Sequence, residues 1–323
     1  MQTIVSGDIE QAGAILREGG LVAIPTETVY GLAANAESAE AVVQIFDVKQ
    51  RPAFDPLIVH IGGSSELTRF AHSIPDAAFQ LAEAFWPGPL TLVLPRRDCI
   101  PDIVTSGLDT VGLRVPAHPI ALELLRSLDF PLAAPSANPF GYISPTCPQH
   151  VLDQLGGKIP YILDGGACTV GVESTIVGFE DGQVCVYRLG GVSIEKLQEV
   201  IPGLKLQISQ SSDPKAPGML ESHYAPRKPL VLTTLAETLP LREEDRAAVL
   251  SFDTNWSSAR GVVCAEVLSP SADIQEAATN LFAALRRLDA SPAERIYAEL
   301  VPEIGVGRAV NDRLRRASSG GEI

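Results

Sequence analysis

From Ile9 to Val200, helical and strand-like patterns alternate along the chain, each with its own stop signal, and this alternation constrains the fold more than any single motif. Asp8 stands where a helix N-cap belongs, ahead of Ile9, Ala12, Ile15 and Leu16 at helical spacing, and Gly19-Gly20 closes the segment. Leu21 to Ile24 then reads as a buried strand. Ser38 caps a second helix carrying Val42, Val43, Ile45 and Phe46, and Leu57-Ile58-Val59-His60-Ile61, held between Pro56 and Gly62, has the length of a strand. The grammar repeats as helix 75–86, strands 90–94 and 111–115, helix 120–128, strand 132–134, a helix near His150, strands around Ile162, Ile176 and Val186, and helix 194–200. An α/β domain on a twisted, mixed sheet is the expected result.

At 323 residues the chain exceeds what one hydrophobic core ordinarily organises, so a second domain is expected. Periodicity breaks down after residue 203, where Ser209, Ser211, Ser212, Pro214, Pro217, Gly218 and Pro226 crowd together, and residues 204–228 read as a linker. Beyond it, strands 230–232, 248–252 and 262–267 precede a helix opened by Ser271 or Asp273, with Ile274, Ala277, Leu281, Leu285 and Leu288 on one side. Strand 295–300 and helix 309–317 complete a smaller α/β domain. The expected organisation is a catalytic domain at 1–203, the linker at 204–228 and a Rossmann-like domain at 229–323.

A formal net charge of −14 argues against the broad basic face that gripping nucleic acid requires and favours small-molecule partners. Cys99, Cys147, Cys168, Cys185 and Cys264 form no CxxC pair, which speaks against a zinc or redox motif and for reduced thiols in a cytoplasmic protein. No uninterrupted apolar stretch reaches membrane-spanning length, so a soluble, unprocessed chain is expected. GxxxxGK[ST], HExxH, GxSxG and a GxGxxG after a strand are all absent, so any nucleotide must be held by dispersed side chains.

Several such side chains qualify. Lys49 and Arg51 are two apart and Pro52 biases Arg51 towards an extended backbone, where both cations face one side and share a phosphate; the alternative is a solvated pair at a helix end, bridged to Asp47 or Asp55. Ser136 and Asn138 repeat that geometry before Pro139, directly after Leu132-Ala133-Ala134, at a strand end of the kind where ligands collect; a self-bonded turn is the alternative. Pro25-Thr26-Glu27-Thr28-Val29-Tyr30-Gly31-Leu32 places hydroxyls and free amides on the turn after a buried strand. Arg114, between Leu113 and Val115, needs either a ligand carboxylate or an internal ion pair. His60 on its own reads as a core residue. Arg188, ahead of Gly190-Gly191, either binds phosphate or solvates a sheet edge, and Glu173-Ser174-Thr175 either caps a strand or offers hydroxyls to a ligand.

Pro25 to Leu32, Lys49-Gln50-Arg51, Pro135-Ser136-Ala137-Asn138-Pro139 and, downstream, Pro217-Gly218-Met219 and His223-Tyr224-Ala225-Pro226 together resemble the two-domain branch of the threonylcarbamoyl-adenylate synthase family, whose catalytic domain has the YrdC-like fold. The resemblance covers both domains. It implies condensation of L-threonine, bicarbonate and ATP to threonylcarbamoyl-AMP and pyrophosphate, with Mg2+ accompanying ATP and no metal held by the protein itself. The product would pass to a tRNA threonylcarbamoyl transferase complex that makes N6-threonylcarbamoyladenosine. By the same resemblance, Thr28, His60, Arg114, Ala134 and Ser174 line the threonine pocket. Arg51, Asp55, Thr110, Ser136, Asn138, Ser144, Arg188 and Tyr224 contact ATP, with Lys49 and Arg51 as the catalytic cations, and the linker folds over the nucleotide. Asp55 stands where relatives often carry Asn, and Ala134 where they carry Thr or Ser. An RNA-binding relative of the same fold would need a basic concave surface, and a carbamoyl transferase of hydrogenase maturation would need a zinc-finger module whose cysteine spacing is missing. Alanine at Arg51 or Arg114 is expected to lower activity by orders of magnitude while leaving the fold intact.

Overall fold

The computed structural model describes residues 2–202, 204 and 224–319, so the linker signals at Ser209, Ser211, Ser212, Pro214, Pro217, Gly218 and Met219, together with Gly203 and His223, lie outside the described residues. The chain divides into two compact units. One carries the residues up to Phe140, Pro145–Thr169 and the chain from Glu173 to residue 202; the other carries Gly141–Ser144, Val170–Val172 and the chain from residue 224 onwards.

In the first unit ten strands form one mixed sheet. They are β1 (Ile4–Ser6), β2 (Val22–Ile24), β3 (Gly31–Asn35), β4 (Ile58–His60), β5 (Leu90–Pro95), β6 (Thr110–Arg114), β7 (Leu132–Ala133), β8 (Tyr161–Leu163), β9 (Thr175–Glu180) and β10 (Gln183–Arg188), in the order β1-β8-β2-β3-β7-β4-β6-β5-β9-β10. Pairs β4/β6 and β5/β9 are parallel, whereas β2/β3, β5/β6 and β9/β10 are antiparallel. Neither β1 nor β3 is expected from the sequence. β3 takes over the end of the turn predicted after Ile24 and pairs Val22 with Ala33 and Ile24 with Gly31.

Side-chain alternation decides what each sheet face does. Leu90, Leu92 and Leu94 of β5, Val111 and Leu113 of β6, Val59 of β4, and Val177 and Val186 of the β9/β10 pair all enter one large core. On the opposite face, β2, β3, β7 and β8 are covered by a second cluster that includes Leu16 from helix Ile9–Arg17 and Leu124 from helix Pro119–Ser127. Over β4, β6, β5, β9 and β10 that face carries only a small apolar cluster, Ile58, Val93, Ile176, Cys185 and Tyr187. Strand parity sends His60, Thr91, Thr110, Gly112 and Arg114 to the same face.

The second unit contains a four-stranded sheet of β11 (Leu230–Leu232), β12 (Ala247–Ser251), β13 (Val262–Val267) and β14 (Arg295–Ala298), ordered β11-β14-β12-β13 with every pair parallel. Asp273 caps the long helix Ile274–Ala290, its carboxylate accepting from the backbone N–H groups of Gln275 and Glu276. Ala277, Leu281, Leu285 and Leu288 are buried at helical spacing, as the apolar stripe predicts.

Candidate active site

Helix Ala39–Lys49 is capped by the Ser38 side chain and runs three residues past Phe46, so Lys49 is its last residue. Gln50 then turns left-handed at φ 52°. The extended Lys49-Gln50-Arg51 segment expected from Pro52 is therefore not formed: the helix hydrogen bonding outcompetes the local bias, and the two cations diverge rather than sharing one face. Lys49 Nζ donates at 2.5 Å to the carbonyls of both Ser136 and Asn138. Burial, and next the neighbouring Arg51 charge, hold the Lys49 amine well below its ordinary pKa, with Asp55 opposing. Arg51 instead forms an ion pair with Asp55 at 2.8 Å and donates to the carbonyls of Asp55 and Pro56, both at 3.0 Å.

The Ser136-Ala137-Asn138 segment also departs from its expected extended form. Asn138 N–H bonds back to Ser136 O at 3.0 Å, closing a tight turn that Lys49 braces from beneath. Ala134, ahead of it, is buried, and its N–H donates to Ile58 O. Lys49 thereby links a helix end to the strand-end turn, so these two sequence motifs do converge, by hydrogen bonds to backbone oxygens rather than by shared exposure.

Arg114, at the end of β6, answers its burial with an internal partner: Nη2 lies 2.7 Å from Glu27 Oε1, and Nε donates to Gly88 O. Nη1 has no hydrogen-bond partner among the described residues, which leaves donors for a ligand anion. His60, register partner of Arg114 across β4 and β6, is not the satisfied core residue that its apolar strand suggests, because its buried Nδ1 has no partner. Burial, and then the Arg114 charge, push its pKa down to about 3, so the imidazole is neutral at ordinary pH.

On the turn after β2, Thr26 Oγ1 lies 2.6 Å from Val29 O and 2.8 Å from Thr28 Oγ1. A carbonyl only accepts, so the Thr26 proton is committed to Val29, while Thr26 Oγ1 accepts from the backbone N–H groups of Thr28 and Val29 at 3.1 and 3.2 Å.

Ser174 precedes β9 and is wholly buried. Arg188 reaches it by Nη2 to Ser174 Oγ at 3.1 Å and by Nε and Nη2 to Ser174 O at 3.2 and 3.0 Å. A bulge makes this possible. Val186 pairs with Val177 but Arg188 pairs with Ile176, so Tyr187 is a surplus residue that turns Arg188 from the core side to the side of Ile176. Arg188 is thus buried and does not solvate the sheet edge. The strand must also pass close to Ser174: a Cβ on Gly190 would lie 2.3 Å from Glu173 O and 2.4 Å from Thr175 N.

Thr110 opens β6 beside a cavity of about 500 Å³ lined also by Ser73, Val93, Asp109, Glu180 and Tyr187. Ser144 and Tyr224 belong to the second unit. There Arg286 Nε donates to Ser144 O at 3.3 Å, while Tyr224 stacks on Phe282 with ring centroids 5.6 Å apart and receives Arg313 over its ring.

A family profile described as Telomere recombination matches residues 14–190, and one described as Threonylcarbamoyl-AMP synthase, C-terminal domain, matches residues 192–319. A threonylcarbamoyl-AMP synthase from Pyrococcus abyssi is 42% identical over 96% of this chain and 94% of its own length. The chain belongs to the threonylcarbamoyl-AMP synthase family. A family member from Bacillus subtilis is 40% identical, over 97% of this chain and 93% of that protein. The P. abyssi Sua5 crystal structure complexed with L-threonine superposes with a TM-score of 0.91 at 39% identity, covering 99% of this chain and 98% of that one. The mixed-sheet unit followed by a parallel-sheet unit is thus the architecture of this family.

The sequence offers Glu27, with Thr26, Thr28 and Tyr30, as a polar side chain of the turn that meets a ligand, whereas the structure makes it the partner of Arg114; Thr91, inside an apolar strand, is not singled out by the sequence at all. The parity of β5, where Leu90, Leu92 and Leu94 face the core, is the signal that puts Thr91 on the face of His60 and Arg114.

Proposed function

We propose that this chain condenses L-threonine, bicarbonate and ATP to threonylcarbamoyl-AMP and pyrophosphate; its relatives are named as synthases of threonylcarbamoyl-AMP. The observation that carries the reading is one sheet face presenting neutral His60, Arg114 with uncommitted donors, and Ser174 tied to Arg188. Such a set suits a zwitterion beside a polyphosphate: guanidinium and hydroxyl donors for a carboxylate, and further cations for phosphate oxygens. The amine of threonine adds to bicarbonate with loss of water to give a carbamate, and a carbamate oxygen attacks the α-phosphorus as pyrophosphate leaves. No covalent intermediate on the protein is needed, so positioning and charge stabilisation carry the rate.

In this reading Thr28, His60, Arg114, Ala134 and Ser174 hold threonine. Arg51, Asp55, Thr110, Ser136, Asn138 and Arg188 hold ATP. Lys49 stabilises developing charge, its Nζ held in place by the Ser136 and Asn138 carbonyls. Asp55 neutralises and orients Arg51 and need not touch ATP itself. For Ser144 and Tyr224 the assignment to ATP rests on the resemblance alone. Mg2+ would enter on the nucleotide, where phosphate oxygens and water supply most of its ligands. Residues 1–203 form the catalytic domain, 204–228 the linker, and 229–323 the smaller domain. The product serves a tRNA threonylcarbamoyl transferase complex in the cytoplasm.

Pyrophosphate release measured with individual amino acids, with and without bicarbonate, tests the activity. Release that requires both L-threonine and bicarbonate is expected; release indifferent to either overturns the reading.

A further inference from the structure

Thr91 is wholly buried on β5, and its hydroxyl lies 2.7 Å from Ser174 Oγ, its sole hydrogen-bond partner among the described residues. We propose that Thr91 is a positioning residue that fixes Ser174 as a hydrogen-bond donor towards the carboxylate of the bound amino acid. The proposal rests on the reading of Ser174 as a threonine-binding residue.

The argument is one of proton accounting. Arg188 Nη2 also approaches Ser174 Oγ, at 3.1 Å, and a guanidinium has no acceptor, so Ser174 accepts there. Two hydroxyl protons and one N–H then share two oxygens, and one hydroxyl proton is left over. If Ser174 donates to Thr91, the surplus proton belongs to Thr91 and is stranded inside the sheet, since the Thr91 oxygen has no other partner and its methyl faces Gly112. If Thr91 donates to Ser174, both Ser174 lone pairs are occupied and its own proton is free for the ligand. With an anionic ligand oxygen in place, only the second arrangement satisfies every group, and a buried donor left unmade is costly. The β-branched Thr91 side chain is stiff about χ1, and an ideal Cβ at Gly112 would stand 3.2 Å from Thr91 Cγ2, so the strand pair leaves room for this methyl and little else.

Ser174 so polarised repels an ammonium.

Thr91→Val keeps the shape and removes the donor. The expected result is a KM for L-threonine raised about tenfold, the effect of one hydrogen bond, with kcat and the KM for ATP within about twofold of wild type. Thr91→Ser is expected to restore the threonine KM. In a Ser174→Ala background, Thr91→Val is expected to add nothing, because its effect runs through the Ser174 hydroxyl. Should Thr91→Val not fold, Thr91→Cys, a weak donor, is expected to show the same shift in KM. A Ser174→Ala protein with wild-type threonine KM overturns the placement of Ser174 and the proposal with it. A Ser174→Ala defect accompanied by a silent Thr91→Val, or by effects that simply add, overturns the positioning role alone.

Discussion

Arg114 Nη2 and Glu27 Oε1 meet at 2.7 Å with both side chains withdrawn from solvent, so one buried ion pair ties β6 to the turn after β2. The second Glu27 oxygen accepts from Ala117 N–H at 3.0 Å. Removing Arg114 therefore takes away the guanidinium proposed to hold the threonine carboxylate and also strands a buried carboxylate, which typically costs about 3–5 kcal/mol. This revises the expectation that Arg114→Ala leaves the fold intact. Urea unfolding is expected to show a clearly lowered midpoint for Arg114→Ala, partly recovered, without activity, by adding Glu27→Gln. An unchanged midpoint in the single variant would count against the ion pair as a structural tie.

Lys49→Met preserves bulk while deleting the donors that hold the Ser136 and Asn138 carbonyls. The expected loss in kcat is on the order of 100-fold or more, comparable to removing a positioned electrostatic donor. Stability should fall by about 1–3 kcal/mol for the carbonyls left without their donor. Pyrophosphate-release kinetics and urea titration read the two effects separately, and wild-type kcat in this variant would remove Lys49 from the chemistry.

His60 gives the fold a pH dependence of defined sign. Its folded pKa of about 3 lies below the unfolded value of 6.5, so the unfolded chain binds the proton more readily. The stabilisation is complete above the unfolded value and is lost as pH falls towards 3, with a slope of up to about 1.4 kcal/mol per pH unit. Unfolding free energies at pH 4, 5 and 6 should rise with pH less steeply in His60→Asn than in wild type. Identical slopes would show that His60 is solvated in the folded protein.

Gly190→Ala places a methyl 2.3 Å from Glu173 O and 2.4 Å from Ser174 C, and backbone cannot rotate out of the way. A cost of about 1–3 kcal/mol or more is expected. Because the obstruction lies at Ser174, KM for L-threonine should rise as well. Tm and KM measured together check this, and a variant that melts like wild type would mean that the loop yields freely.

Strands and helices with strong apolar periodicity were legible in the sequence, as at β5, β6 and helix Ile274–Ala290, where burial follows the predicted pattern. β3 was not, because Gly31-Leu32-Ala33-Ala34-Asn35 has little intrinsic strand preference and forms through its neighbours β2 and β7. At the site, residue types were readable but relations were not. Pro52 suggested an extended pair of cations, and the capped helix overrode it through Lys49. The need of Arg114 for an anion was plain, yet the choice of Glu27 depends on two segments 87 residues apart. The orientation of Arg188 depends on a register shift that no local pattern encodes.

That shift at Tyr187 has a consequence for how variants of this sequence should be compared. Deleting one residue between Gly182 and Arg188 could leave every named side chain present and still send the guanidinium into the hydrophobic interior. Chain length in this hairpin decides where Arg188 points as much as chemical identity does, and a gap placed there by alignment should be weighed like a lost arginine.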